Sequence, residues 1–264
     1  MSVATGQDTI AAAFSGCERR AALMPYLMGG FPTLDGSRAI GEAYAEGGAD
    51  LVELGVPFSD PLADGPVIHA AGTGALAAGA TVHGVLEVGR ALTESVPVVL
   101  MCYANLVLAR GTERFAAELA ERGISGLIVP DLPLEEAGEA LAACDGAGVA
   151  LVGLVAPTTP EERLAAIGAT ARGFVYTVSV TGTTGERQAL AGDLAATLAR
   201  TRAHVDVPVA LGFGIGTPEA AAAAGDAGAD GVIVGSRLVR AAAEAADPPA
   251  AVRELVGRFA DALR

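Results

Sequence analysis

The sequence of 264 residues contains few cysteines and no tryptophan. Its three cysteines, Cys17, Cys102 and Cys144, are odd in number and widely spaced, and they form no CxxC pair. This pattern argues against a disulfide framework and against a structural zinc site, and it is typical of proteins from a reducing cytosol. We therefore expect a cytoplasmic protein without a catalytic cysteine.

Histidines are equally scarce and do not form a cluster in the sequence. His69, His83 and His204 show neither HxH nor HxxxH spacing, so we expect no metal site. The chain also lacks a Walker loop, a GxSxG elbow and a Ser-His-Asp constellation. These absences exclude the commonest hydrolase and nucleotide-binding signatures.

The chain also has no long apolar run, and its positive charges are outnumbered by negative ones. No stretch reaches the roughly 18 apolar residues that a membrane helix needs, and the N-terminus shows no secretory signal. The 17 Lys and Arg residues against 31 Asp and Glu residues give a net charge of −14. Because such a chain repels phosphate backbones, nucleic-acid binding is not expected.

The chain does contain a regular alternation of short apolar runs with helical segments. Runs that predict strands lie at 23–28, 50–54, 96–102, 126–129, 150–155, 173–178, 208–211 and 231–234. Eight such units predict an α/β protein, a (β/α)8 TIM barrel forming a single domain over 1–264. A helix over 7–15 precedes the first strand, and we expect this extra N-terminal helix to close the barrel floor. The rival fold, a doubly wound sheet, would be favoured by a GxGxxG motif after the first strand, and this motif is absent.

One charged residue interrupts an otherwise apolar strand in LVELGVPFSDPLADGP (51–66). With a period of two, Leu51, Glu53 and Gly55 share one strand face, whereas Val52 and Leu54 share the other. Burial against helices would be unfavourable for a carboxylate, but a position at the barrel mouth creates a site. Apolar surroundings there would raise its pKa, so Glu53 could hold or donate a proton near neutral pH. The alternative is a glutamate that is hydrogen-bonded in the core or paired with an arginine.

Other polar residues follow the predicted strands at the end where barrels place their active sites. Asp60 is interpreted as a turn former or a partner contact, and for Asp64 both a turn and a site role remain open. Tyr103 could line a flat ligand or simply pack, and Asp131 lies at the mouth between two prolines. The stretch YTVSVTGTTGERQ (176–188) is either a lid that excludes water or a loose connection.

Two glycine-rich loops follow strands seven and eight, where such barrels often build a phosphate site. Gly212 and Gly214 would let the backbone approach an anion closely. Gly235 and Ser236 open the last barrel helix, whose N–H groups and positive dipole end suit a phosphate. Backbone amides can bind phosphate without a positive net charge.

Several motifs together resemble the tryptophan synthase alpha subunit family. They are ELGVPFSDPLADGP (53–66), PYLMGGFP (25–32), MCYANLV (101–107), PDLPLEE (130–136), YTVSVTGTTGERQAL (176–190), LGFGI (211–215) and GVIVGSRLV (231–239). The resemblance covers nearly the whole chain and implies cleavage of indole-3-glycerol phosphate to indole and glyceraldehyde 3-phosphate in tryptophan biosynthesis. It also implies a beta subunit that receives the indole in an alpha2-beta2 heterotetramer. Pyridoxal phosphate is then expected in the beta subunit, and no cofactor in this chain.

The resemblance also assigns roles to individual residues. It makes Glu53 the catalytic proton shuttle, and Asp64 the acceptor for the indole N–H. Asp60 and the helix after it resemble the face presented to the beta subunit. The other matched positions bind substrate (Leu23, Tyr103, Ile128, Val155, Tyr176 and the lid residue Thr184) or its phosphate (Gly185, Gly214, Gly235 and Ser236).

Four alternatives to this function can be weighed on the sequence. A sugar-phosphate epimerase would need a metal-binding His/Asp set, and a two-aspartate isomerase would need Asp where Gly30 and Ala156 stand. A non-catalytic activating subunit could lose Glu53 or Asp64 freely, but both are present. A stand-alone indole-3-glycerol-phosphate lyase would carry the same motifs and remains open.

Overall fold

A computed structural model describes residues 4–178, 194–212 and 214–264 of the chain. Eight strands alternate with helices in these ranges. The strands are β1 (Ala22–Met28), β2 (Val52–Gly55), β3 (Val98–Met101), β4 (Gly126–Ile128), β5 (Ala150–Val155), β6 (Val175–Val178), β7 (Val209–Gly212) and β8 (Gly231–Val234). Each strand overlaps its predicted apolar run, with bounds that differ by at most two residues.

The eight strands form one closed barrel in sequence order, β1 to β8, and β8 pairs again with β1. Every pairing is parallel, so all carboxyl ends of the strands open at the same rim. The predicted (β/α)8 barrel is therefore confirmed. Because active sites of such barrels lie at this rim, residues that end different strands can meet there.

The described helices surround the barrel, and a 3-10 turn (Leu134–Glu136) precedes the seventh. They are α1 (Gly6–Ser15), α2 (Leu34–Glu46), α3 (Pro66–Ala77), α4 (Val82–Leu92), α5 (Ala104–Arg110), α6 (Thr112–Glu121), α7 (Gly138–Ala147), α8 (Glu161–Thr170), α9 (Leu194–Arg202), α10 (Pro218–Asp226), α11 (Ser236–Glu244) and α12 (Pro248–Ala262). Within the described ranges, none of these helices is long and apolar enough to cross a membrane.

Two apolar layers lie on opposite faces of the strands. The larger layer packs the outer strand faces against the helices and includes Leu23, Val52 and Leu54. The smaller layer fills the barrel interior and includes Met24 and Leu51. Strand residues alternate between the layers because successive side chains point to opposite faces.

Helix α1 closes the floor of the barrel, as predicted. Its side chain Ile10 is fully buried in the interior layer, and Phe14 contacts Phe174 with ring centroids 5.9 Å apart. The helix begins with a capping box in which Thr5 and Asp8 satisfy each other's backbone N–H groups. The N–H of Gly6 donates to the carbonyl oxygen of Gly148 at 2.6 Å, which fixes the helix start beneath the strands.

This floor yields a stability prediction for Gly6→Ala. A Cβ at residue 6 would overlap the backbone carbonyl oxygen of Ser125, which cannot rotate away. We expect the free energy of unfolding to fall by about 1–3 kcal/mol, the usual cost of overpacking, as measured by urea denaturation. The control is Gly146→Ala in α7, where the new Cβ meets no atom within 4 Å. That change should stabilise by about 0.5–1 kcal/mol through helix propensity, so equal effects of both changes would contradict this account.

Candidate active site

Glu53 lies on the inner face of β2, one residue from the outward-facing Val52 and Leu54. In the ladders it is level with Tyr26 of β1 and Val99 of β3. Its side chain is 1% exposed, and within the described residues its Oε2 atom has no hydrogen-bond partner. The alternative of a core glutamate paired with an arginine is therefore not what this part of the chain shows.

Burial controls the protonation of Glu53. Loss of solvent raises the pKa of this carboxyl from its ordinary value of 4.5 to about 8, and the negative charge of Asp64 adds to the rise. The carboxyl thus holds its proton at neutral pH but can lose it at modest cost. A group with such a pKa is suited to both donate and accept a proton in one catalytic cycle.

The same pKa predicts a pH-dependent cost of folding. Between pH 4.5 and about pH 8 the folded state keeps the proton that the unfolded state has lost, so stability falls as pH rises. Glu53→Gln removes this titration, and its free energy of unfolding should exceed that of the wild type increasingly, by up to about 5 kcal/mol above pH 8. Urea unfolding of both proteins at about pH 5 and about pH 8.5 measures the difference. An offset that is equal at the two pH values would contradict the raised pKa.

Asp64 lies at the end of the loop that follows β2. Its N–H donates to the carbonyl oxygen of Pro61 at 3.2 Å, and its side chain is partly buried. Partial burial raises the pKa of this carboxyl, whereas a hydrogen bond from the Tyr103 hydroxyl and the nearby His69 lower it. The turn contact is therefore observed, and the site role of Asp64 stays a prediction that its contact with Tyr103 supports.

Tyr103 connects the end of β3 to the loop that carries Asp64. Its hydroxyl oxygen accepts the N–H of Ala63 at 3.0 Å, and its ring stacks on Phe58 with centroids 5.2 Å apart. Burial and the adjacent Asp64 raise the pKa of the Tyr103 phenol. The hydroxyl thus remains protonated and can donate to the Asp64 carboxylate.

Tyr176 and Ile128 face the barrel interior, as the substrate-binding prediction requires. Burial, followed by the charge of Glu53, raises the pKa of the Tyr176 phenol. The ring occupies the space that a side chain at residue 212 would need, so Gly212 makes room for it. Glu53 thus lies close enough to Asp64 and Tyr176 for their charges to interact, and Asp64 in turn hydrogen-bonds Tyr103.

Two predicted wall residues lie on the other faces of their strands. Leu23 packs in the outer layer against the helices, and Val155 packs against Leu164 and Ile167 of α8. Because successive strand residues alternate in direction, their sequence neighbours Met24 and Leu154 contact the interior instead. These placements argue against Leu23 and Val155 as substrate walls.

Tyr26 was missed by the sequence interpretation. It is buried beside Glu53, and its hydroxyl lies where a side chain at residue 55 would begin, so Gly55 is required there. Burial raises the pKa of its phenol, and the charges of Asp64 and Glu53 add to the rise. Tyr26 stands two residues after Met24, so the two side chains share one face of β1. Once one of them is known to face the interior, the other is predicted to face it too.

The predicted phosphate-binding residues are divided between described and undescribed parts of the chain. Gly235 precedes Ser236, the first residue of α11, and Gly214 has a φ of 82° that favours glycine. A Cβ at Gly235 would lie 3.7 Å from the Cβ of Tyr26, so this helix start is next to the carboxylate site. Thr184 and Gly185 lie outside the described residues.

The loop after β2 also presents an exposed surface. Asp60 is exposed, and the neighbouring Leu62 is 74% exposed. Leu108 of α5 is 65% exposed at the same end of the barrel. In the described ranges no group of three His, Cys, Asp or Glu side chains is arranged to hold a metal ion.

Comparisons with known proteins agree with this geometry. A family model described as "Tryptophan synthase alpha chain" matches residues 14–262. The alpha chain of Methanosarcina mazei is 48% identical over 87% of this chain and 84% of its own length. The alpha chain of Prochlorococcus marinus is 47% identical over 94% and 90%.

Solved structures give the same result. A tryptophan synthase structure from Mycobacterium tuberculosis aligns with a TM-score of 0.90 and 40% identity over 97% of this chain and 98% of that chain. A chain from the a2b2 complex of Pyrococcus furiosus aligns with a TM-score of 0.86 and 34% identity over 91% and 98%. The motif resemblance is thereby confirmed, and the chain belongs to the tryptophan synthase alpha chain family, the lyase component of an enzyme of tryptophan biosynthesis.

Proposed function

We propose that this chain cleaves indole-3-glycerol phosphate to indole and glyceraldehyde 3-phosphate, with Glu53 as the proton shuttle. One observation carries the residue assignment: a fully buried carboxyl with a pKa of about 8 faces the barrel interior beside a second carboxylate. The reaction needs a group that first donates and then accepts a proton, and Glu53 combines both properties near neutral pH.

The proposed steps balance as a retro-aldol cleavage. Protonated Glu53 donates to C3 of the indole ring, and the ring nitrogen becomes positively charged. The Asp64 carboxylate accepts a hydrogen bond from the indole N–H and stabilises this charge. The side-chain hydroxyl then gives up its proton to ionised Glu53. A carbonyl forms, the carbon–carbon bond breaks, and the bonding pair returns to the ring, so neutral indole leaves and Glu53 is again protonated.

The remaining residues orient the substrate in this proposal. Tyr26, Ile128 and Tyr176 line the apolar space for the indole ring, and Tyr103 holds Asp64. Gly235 and Ser236 bind the phosphate through backbone N–H groups at the start of α11, and Gly214 contributes from the loop after β7. The family resemblance adds Gly185 to the phosphate site and Thr184 to a lid over it.

The partner in this proposal is a beta subunit in an alpha2-beta2 complex. The exposed leucines Leu62 and Leu108, together with Asp60, support a docking face at the mouth, because exposed apolar side chains favour protein contacts. Indole could then pass to the partner without crossing solvent. We further propose that pyridoxal phosphate belongs to the beta subunit alone and that the complex is cytoplasmic.

The decisive experiment supplies indole-3-glycerol phosphate to the purified chain with and without a family beta subunit. We expect slow indole release by the chain alone and faster turnover to tryptophan in the complex when serine is present. Equal indole release with and without the partner would favour a stand-alone lyase. No indole and no tryptophan under either condition would refute the proposed reaction.

A further inference from the structure

Asp131 lies at the barrel mouth but has no role in the proposed chemistry. It follows β4 after Val129 and Pro130, and its side chain is exposed. The pairing of β3 with β4 extends one residue beyond β3, because the N–H of Cys102 donates to the carbonyl oxygen of Ile128, the last residue of β4, at 3.0 Å. This extension brings the segment after β3 directly beside Asp131.

The carboxylate of Asp131 contacts the start of α5. Its Oδ1 atom accepts the N–H of Ala104, the first residue of that helix, at 2.8 Å. The N-cap residue is Tyr103, whose own side chain makes no capping hydrogen bond. Asp131 therefore satisfies, from a different loop, one of the N–H groups that a helix start leaves unpaired. Its negative charge also suits the positive end of the helix dipole.

The residue fixed by this contact is the one that reaches Asp64. The peptide bond that donates to Asp131 joins Tyr103 to Ala104, so the contact limits the backbone direction from which the Tyr103 ring projects. At the other end of that ring, the hydroxyl accepts the N–H of Ala63 at 3.0 Å and donates to the Asp64 carboxylate. A chain of direct contacts thus runs from Asp131 through Tyr103 to Asp64.

We infer that Asp131 is a positioning residue for the lyase reaction, because its hydrogen bond to the start of α5 holds the Tyr103 hydroxyl on Asp64. The inference rests on the proposed function for its catalytic consequence. Its structural part stands independently, since the contacts from Asp131 to Asp64 do not depend on which substrate binds.

A purely structural role for Asp131 would give a different result. In that case its loss would destabilise the protein without changing the titration of Asp64. If Asp131 positions Tyr103, its loss removes the hydrogen bond that lowers the pKa of Asp64, and that pKa rises. The other ionisable groups near Asp64 are Glu53, Tyr26 and His69, and Asp131 has no described contact with any of them.

The test compares Asp131→Ala and Asp131→Asn with a matched control, Asp247→Ala. The Asp247 side chain accepts the N–H of Ala250 at the start of α12, so the control removes a similar cap elsewhere. One readout is the carboxyl NMR titration of Asp64, assigned with Asp64→Asn. The other is the pH profile of kcat/KM for indole release by the full chain.

Asp131→Ala should raise the titration midpoint of Asp64 and move the acid limb of kcat/KM to higher pH. It should also reduce kcat/KM about fivefold, the factor equivalent to the loss of one helix cap. Asp131→Asn keeps an acceptor oxygen and should restore both readouts, whereas Asp247→Ala should change neither. An unchanged Asp64 midpoint in Asp131→Ala would overturn the inference. Absence of indole release by the wild type would overturn the proposed function and leave the NMR test valid.

Discussion

Glu53→Gln should reduce the rate of indole release from indole-3-glycerol phosphate by about 10²–10⁴-fold, the range expected for loss of a general acid–base group. Glutamine has the same size and can still hydrogen-bond, but it cannot transfer a proton. Because Glu53 is only 1% exposed, bulk water does not reach its position to replace the lost carboxyl. The measurement is steady-state kcat with the purified chain and again in the complex with a beta subunit.

Binding and folding controls separate this effect from structural damage. The variant should bind glyceraldehyde 3-phosphate with the affinity of the wild type, because the proposed phosphate contacts lie at Gly214, Gly235 and Ser236. A matched change of an exposed glutamate in α7, Glu139→Gln, should leave kcat unaltered. Turnover by Glu53→Gln within tenfold of the wild type would remove Glu53 from the proposed mechanism.

The pH profile of the wild type follows from the same residue. If protonated Glu53 starts the reaction, kcat/KM for the free enzyme should fall as pH rises through about 8, where burial and Asp64 place its pKa. The fall should be absent from the residual activity of Glu53→Gln. The fall in kcat/KM and the pH-dependent loss of stability described above would then both report the titration of Glu53.

The inward orientation of Glu53 was predictable, because one charged residue in an apolar strand indicates which alternate residues face the barrel interior. A charged side chain in β2 distinguishes the inner from the outer face, and its neighbours Val52 and Leu54 occupy the outer layer as expected. β1 carries no such mark, since all seven of its residues are buried. Strands buried on both faces read as continuous apolar runs, so the sequence cannot show which face is inner. The resemblance named Leu23 as a substrate wall although its side chain lies in the outer layer, and nothing in the sequence of β1 pointed to Tyr26 instead.

Contacts between loops were the other feature beyond the sequence. The eight-fold alternation of strands and helices predicts the barrel, and the barrel predicts that residues at the carboxyl ends converge. The alternation does not predict which loop side chains bond to one another. The contact between Asp131 and the start of α5 depends on the extended β3–β4 ladder, and the contact between Tyr103 and Ala63 depends on the path of the loop after β2. Both are long-range contacts that only the folded chain reveals.

Asp64→Asn should reduce indole release by about 10²–10³-fold, comparable to the removal of one preorganised group that stabilises charge in the transition state. Asparagine retains a carbonyl oxygen that can accept the indole N–H, but it lacks the negative charge that opposes the positive ring. The loss should appear mainly in kcat, because the charge develops after the substrate has bound.

A second effect of Asp64→Asn distinguishes this role from a local folding defect. The charge of Asp64 contributes to the raised pKa of Glu53, so its removal should move the basic limb of the pH profile to lower pH. Asp35→Asn, a change at an exposed aspartate in the first turn of α2, serves as the control and should alter neither kcat nor the limb. A large loss of rate without a shift of the basic limb would mean that the charge of Asp64 does not affect the pKa of Glu53. Asp64 would then act on the substrate alone, without tuning the proton shuttle beside it.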